Sequence, residues 1–518
     1  MVSRANPPFN IVLIKIKILK KIKKEVKTMK KMKKVLISGV AALIAATNLV
    51  GATSCALLGG GSTSGGGGGN FGDTTVDVVA YDGSEVTVTF YHTMGQTLRD
   101  VLNKHIKKFN AIYPNITVDH STKGDYPGLR DQVRTELNAG TAPSMAYCYP
   151  DHVALYNSSK ATVVLDDFIS STAEVTNANG TEIMGLTAEQ KADYIEGYYN
   201  EGAAYGDNKM YTMPFIKSTE VLYYNKTVFA KHGWEVPQTW DDMEELCEKI
   251  EKEYPNDIPF GYDSEANWFI TMCEQYGADY TSATGEHFLF DNETAWNFVA
   301  KFDEWHEKGY FTTEELNGGY TSSMFTTTDP AKSKIYMCIG SSAGASYQCP
   351  DPLEGTTDEY PFEVGVAGIP QINPDKPKAI SQGPSVCLFK KDNPQEVAAA
   401  WLLTKYLTTN VEFQAEFSMV SGYAPVIKSV EENSVYKDFL ASADGNAYLQ
   451  ATCVKQSVAQ KDYLYVSPAF NGSSDARDKV GLMMKNVFVN SPEAGQSRID
   501  FVKSWFTPTI NTLKFDWQ

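Results

Sequence analysis

The chain has 518 residues, 42% hydrophobic and 12% aromatic, so it is globular rather than disordered and too long for one ordinary core; two lobes are expected. Residues 1–54 carry twelve Lys/Arg against Glu25 alone, and the remainder holds 34 basic and 62 acidic residues, a body charge of −28. So acidic a body repels phosphate backbones and excludes nucleic-acid binding.

Residues 1–54 read as a signal region. Ile11 to Lys27 alternates aliphatic residues with lysine, and a second start at Met29 or Met32 places residues 1–28 upstream of the expected true start. From Met29 the order is basic (Met29–Lys34), apolar (Val35–Val50), then Gly51-Ala52-Thr53-Ser54-Cys55, the layout of a secretory signal. The apolar stretch includes Ser38, Thr47 and Asn48 and falls short of the roughly 20 residues a spanning helix needs, which makes a retained membrane anchor the weaker reading. Ala52-Thr53-Ser54-Cys55 resembles a bacterial lipobox, with Ala52 where leucine is usual, and implies lipidation of Cys55; an ordinary signal peptide with an incidental cysteine is the alternative. Residues 55–84 then form a Gly/Ser-rich tether, whose part from Cys55 to Asn70 spans about 22 Å as a flexible coil.

The body begins with Glu85-Val86-Thr87-Val88-Thr89-Phe90-Tyr91, whose alternation predicts a strand. Leu98, Val101, Leu102, His105, Ile106 and Phe109 share one helical face, Pro114 ends that helix, and Ile116-Thr117-Val118 reads as the next strand. Strand, helix and strand in this order imply a parallel sheet and an α/β class. Further strands are expected at 221–224, 334–339 and 362–366, and helices at 240–253, 293–308 and 394–407, the last opened by Asn393 as N-cap and Pro394 at N1. No repeat or second linker divides the body, so the two lobes must interleave.

Several fragments in this order resemble the extracellular solute-binding protein family 1 of ABC importers: Phe90-Tyr91-His92-Thr93, Leu137-Asn138-Ala139-Gly140-Thr141-Ala142-Pro143, Met213-Pro214-Phe215 with Leu222-Tyr223-Tyr224-Asn225-Lys226, and Val236-Pro237-Gln238-Thr239-Trp240-Asp241-Asp242. The resemblance spans roughly Val86 to Val426. It implies a two-lobed, type II periplasmic-binding-protein-like fold, with a first crossing near Tyr211–Phe215 and two later ones. The expected division is 85–213 plus 367–405 for lobe 1 and 214–366 plus 406–518 for lobe 2. It also implies a monomer, tethered by lipid, that captures a sugar or polyol and passes it to an ABC permease in the membrane without a cofactor.

Within that family the chain looks similar to glycerol-3-phosphate and glycerophosphodiester binders at Lys123-Gly124-Asp125-Tyr126, Pro214–Ser218, Gly340-Ser341-Ser342, Ser381-Gln382-Gly383-Pro384 and Ser421–Pro425. Carried over, the ligand contacts are Tyr126, Asp151, Ser218, Trp268, Ser341, Ser342, Gly383 and Tyr423. Asp and Ser suit ligand hydroxyls, Gly383 a close backbone approach, and Tyr/Trp faces the apolar side of a sugar. Trp268 and Tyr423 equally suit a core, Asp151 a helix cap and Ser218 a turn. Those binders carry a late arginine for phosphate, where this chain has Phe470 and Asn471. That departure favours a neutral ligand, unless Lys123, Lys217 or Arg477 turns into the cleft.

Gly340-Ser341-Ser342-Ala343-Gly344 matches the nucleophile elbow of a hydrolase, but all seven histidines precede Ser342, so the required order of acid and histidine fails. No zinc-protease helix, phosphate loop or paired-cysteine metal motif occurs, and the cysteines suit small buried hydrophobes, with no disulfide assigned. The remaining alternatives are a surface glycosidase, whose two carboxylates leave no sequence mark, and an adhesin of the same fold.

Overall fold

Val86, Val88 and Phe90 point into a core while Thr87 points to solvent, and this alternation makes strand β1 (Val86–His92). The computed structural model describes residues 76–517, apart from 206, 443 and 444; the signal region, Cys55 and the tether as far as residue 75 lie outside the described residues. In chain order the other strands are β2 (Ile116–Thr122), β3 (Met145–Cys148), β4 (Glu174–Asn177), β5 (Gly180–Ile183), β6 (Met213–Pro214), β7 (Ser218–Asn225), β8 (Ile258–Tyr262), β9 (Phe311–Thr313), β10 (Ile335–Ser341), β11 (Val364–Ala367), β12 (Ala379–Gln382), β13 (Ser385–Leu388) and β14 (Leu464–Tyr465).

They build two main sheets, one per lobe. The first runs β2-β1-β3-β13-β6, with β1 parallel to both its neighbours and β13 inserted antiparallel between β3 and β6. The second runs β14-β12-β7-β10-β8-β9, with β11 on another stretch of β7. A hairpin of β4 and β5 stands apart. The chain crosses between the sheets through 215–217, 383–384 and 461–463.

Each sheet has its own core. Phe90, Leu102, Phe109, Val386, Trp401 and Phe413 belong to the first, and Trp240, Phe302, Trp305 and Phe488 to the second. Strand β7 is buried on both faces: Leu222 enters the second core, whereas Val221 and Tyr223 point the other way, into a cluster with Leu449 and Cys453 of helix Leu449–Gln460. The family-like run around Thr239 is a capping box. The Thr239 hydroxyl accepts from Asp242 N at 3.0 Å and the Asp242 carboxylate accepts from Thr239 N at 2.9 Å, which starts helix Trp240–Glu253 with Trp240 buried. Asn393 and Pro394 likewise open helix Pro394–Thr409. The seven described cysteines are free thiols, six of them buried.

The division of the chain differs from the expected one. Strand β12 pairs with β7, so the second lobe continues to Gln382. After β13, helices Pro394–Thr409 and Val411–Ser421 fold back onto the first core, which draws on this stretch as far as Val454 and, beyond the crossing, takes in among the described residues only Ala469 as a further buried one. The last return to the second lobe therefore falls near 461–463, not at 406. Helix–sheet packing decides this, and no local motif marks the crossing.

Candidate functional site

Where the lobes meet lies a cavity of about 720 Å³. The first lobe lines it with Thr93, Asp125, Tyr126, Tyr149, Asp151 and Tyr423; the second supplies Ser218, Glu220, Asp263, Asn267, Tyr280, Glu314, Tyr320, Ser341, Tyr347, Ser381 and Arg477, among others. Asp125 caps helix Tyr126–Ala139, accepting from Gly128 N at 2.8 Å, and so fixes Tyr126 at the helix start. The Tyr126 ring packs against Tyr149 with centroids 4.5 Å apart. Burial pushes the Tyr126, Tyr149 and Tyr423 phenols up, so all three stay neutral hydroxyls beside aromatic faces.

On the opposite wall, Glu220 stands on β7 and is 2% exposed. Its carboxylate accepts from the Tyr262 hydroxyl and from Asn267 Nδ2 at 2.9 Å, while Arg477 donates to Asn267 Oδ1. Burial pushes the Glu220 carboxyl up to about 7, against the pull of those bonds and of Arg477. Glu314 is also pushed up to about 7, by burial and then by Asp263, Glu265 and Glu315. Among the described residues, five carboxylates (Asp125, Asp151, Glu220, Asp263, Glu314) thus face one guanidinium, Arg477, around the cavity. No histidine lines it among the described residues. Such a set accepts hydrogen bonds from many hydroxyls and covers apolar carbon with tyrosine faces. Away from the cavity, Arg130 bridges the lobes, donating to Ser474 Oγ at 2.8 Å and Asp478 Oδ2 at 2.9 Å.

Of the expected contacts, Tyr126, Asp151, Ser218, Ser341 and Tyr423 come together around the cavity. Asp151 sits in the first turn of helix Pro150–Asn157, where its Oδ1 also accepts from His152 N at 3.0 Å. Ser341 donates to Ser218 Oγ at 3.3 Å. Three expected residues do not face it. Trp268 is fully buried among Phe298, Phe302, Phe311 and Phe488, because its helix, Glu265–Tyr276, turns Asn267 to the cavity and the indole to the core. Ser342 is buried; its Oγ accepts from Thr219 N at 3.4 Å, and its carbonyl fills the space where a Cβ on Gly422 would stand, 2.7 Å away. Gly383 has φ +86°, and a Cβ there would lie 2.6 Å from Ile216 O, so the close approach it permits is to the neighbouring crossing rather than to a ligand.

Sequence reasoning missed Glu220, Asp263, Glu314 and the tyrosines at 149, 280, 320 and 347. Only Glu220 left a signal, as a lone acid in the apolar run of β7. The arginine question also changes: Phe470 is buried and stacks on His287 with centroids 4.6 Å apart, while Arg477 lines the cavity. Lys123 lies over the Tyr91 ring and Lys217 is buried against Glu201, so neither lines it.

The model of the bacterial extracellular solute-binding proteins matches residues 104–443, well over half of the chain. The chain belongs to that family. This solute-binding protein is 23% identical over 363 residues to the sn-glycerol-3-phosphate-binding periplasmic protein UgpB of Escherichia coli K12, covering 66% of the chain and 75% of the relative. Among solved structures it is similar to UgpB from Mycobacterium tuberculosis in complex with glycerophosphocholine (TM-score 0.63, 16% identity, 84% of this chain and 100% of that one). It is similar also to the cyclic alpha-maltosyl-1,6-maltose binding protein from Arthrobacter globiformis (TM-score 0.60, 17% identity, 83% and 99%). At that identity the structures show the fold: the two-lobed α/β architecture of periplasmic solute-binding proteins. The family and these neighbours are binding proteins, and this one is a solute-binding protein of ABC importers, acting outside the cytoplasm.

Proposed function

We propose that the protein captures a carbohydrate or polyol by closure of its lobes and delivers it, as a monomer tethered through lipidated Cys55, to an ABC permease. The observation that carries this reading is the cavity itself, lined from both lobes by tyrosines and hydroxyls and, among the described residues, by five carboxylates against a single guanidinium. A ligand that touches both walls stabilises only the closed arrangement, so binding shifts the population toward closure. The bridge from Arg130 to Ser474 and Asp478 is a contact that opening would break. Among the described residues no histidine lines the cavity, and Ser342 is buried, which disfavours a serine-hydrolase triad there.

The second reading, a glycerol-3-phosphate or glycerophosphodiester ligand, is favoured by Arg477 in the lining and by the UgpB relatives. Against it, Arg477 is already engaged through Asn267 with the Glu220 carboxylate. Calorimetric titration with maltose, maltotriose, glycerol 3-phosphate and glycerophosphocholine separates the two. Micromolar saccharide binding that survives Arg477→Met is the expected result. Binding of a glycerol phosphate alone, lost in Arg477→Met, replaces the first reading with the second.

A further inference from the structure

Lys217 sits in the first crossing, next to Ser218, and its side chain is buried with Glu201 rather than turned to the cavity: the two residues are 1% and 7% exposed. Glu201 itself is anchored, because its short 3₁₀ turn holds Tyr211 N on Gly202 O at 2.8 Å. The Lys217 ammonium donates to Glu201 and also to Gly383 O, at 3.3 Å, in the second crossing. The other Glu201 oxygen accepts from the Ser381 hydroxyl. The Lys217 backbone donates to Ala424 O at 3.0 Å and accepts from Ala424 N at 2.6 Å. The ion pair therefore ties Glu201 to two crossing segments, which carry the cavity residues Ser218 and Ser381, while the Lys217 backbone separately holds the segment of Tyr423. Neither member of the pair lines the cavity.

Stability does not account for such a pair. Removing two charges from water is costly, and a well-packed apolar replacement is often neutral or stabilising. What an apolar pair lacks is direction. The ammonium and carboxylate hold the two crossings at fixed hydrogen-bond angles, and the same bonds fix where two cavity residues, Ser218 and Ser381, stand. We propose that Lys217 and Glu201 are positioning residues: they set the angle between the lobes and, from behind the cavity, the affinity of the site.

The affinity part rests on the solute-binding reading above; the angle part does not. The test uses the full chain with three variants, Lys217→Met, Lys217→Met/Glu201→Met and Glu201→Gln. Each is followed by thermal unfolding, by small-angle scattering of ligand-free protein and by calorimetry with maltotriose and glycerophosphocholine. Lys217→Met leaves a buried carboxylate unpaired and lowers the midpoint. The double variant recovers the midpoint, yet its scattering envelope changes and its affinity for whichever probe binds the wild type falls about tenfold, or ~1.4 kcal/mol. Recovery of midpoint, scattering and affinity together in the double variant overturns the proposal. If the double variant does not fold, Glu201→Gln, which keeps volume and a hydrogen-bonding partner for Ser381, must itself change scattering and affinity, and unchanged values overturn it. If neither probe binds the wild type, the ligand classes proposed above fail, and the scattering alone decides the role of the pair.

Discussion

Replacing Glu220 by Gln isolates the most deeply buried acid of the cavity wall. The carboxyl is 2% exposed and burial holds it near 7, against an ordinary value of 4.5. Between those two pH values the folded chain keeps a proton that the unfolded chain has released. The folded state therefore loses stability as the pH rises through this window; the loss is absent below about 4.5 and complete above about 7. At about 1.36 kcal/mol per pH unit, the interval corresponds to ~3 kcal/mol. In Glu220→Gln the side-chain amide has no proton to lose over this range, and it retains an acceptor for Asn267 Nδ2. Urea unfolding followed by tryptophan fluorescence, at a series of pH values from about 4.5 to about 8, should give a variant whose stability falls ~3 kcal/mol less than the wild type's. Burial also raises Asp263 and Glu265, and Glu314 shares the window, but those groups are common to both chains and cancel in the comparison. Parallel pH profiles for the two chains would refute the assignment of Glu220 as a buried, late-titrating acid.

Trp268→Ala and Tyr423→Ala should part company. The first opens a hole in the second core and costs about 3–5 kcal/mol of stability, with ligand affinity preserved in the protein that remains folded. The second removes a cavity face and lowers affinity about tenfold or more. Calorimetry alongside thermal unfolding distinguishes them, and a large affinity loss in folded Trp268→Ala would return the indole to the ligand. In a bacterial host, Cys55→Ala should abolish metabolic palmitate labelling and release the protein to the medium; labelling that persists excludes lipidation at that residue.

Local physics made much of the molecule legible in the sequence. The alternation from Val86 to Phe90, the apolar face of helix Gln96–Ile112, the helix from Trp240 and the cap at Asn393 depend on near neighbours, and each forms as the residues predict. The family-like fragments did the same for the two-lobed plan, because they report turns and caps that the fold requires. What tertiary structure alone decided is how distant segments share a wall. Trp268 and Asn267 are adjacent in sequence, yet one helix sends the first to the core and the second to the cavity. Arg477 carries no mark that separates it from a surface arginine until helix Ser473–Val489 is laid against helix Glu265–Tyr276 and brings it to Asn267. Lys217 was equally open to two readings, and only the joining of residues 201, 217, 383 and 424 turns it away from the ligand and into the hinge. Side-chain direction at a junction of lobes is set by packing between separate segments, 166 positions apart for Lys217 and Gly383 and 210 for Arg477 and Asn267, and no window of neighbouring residues contains that information.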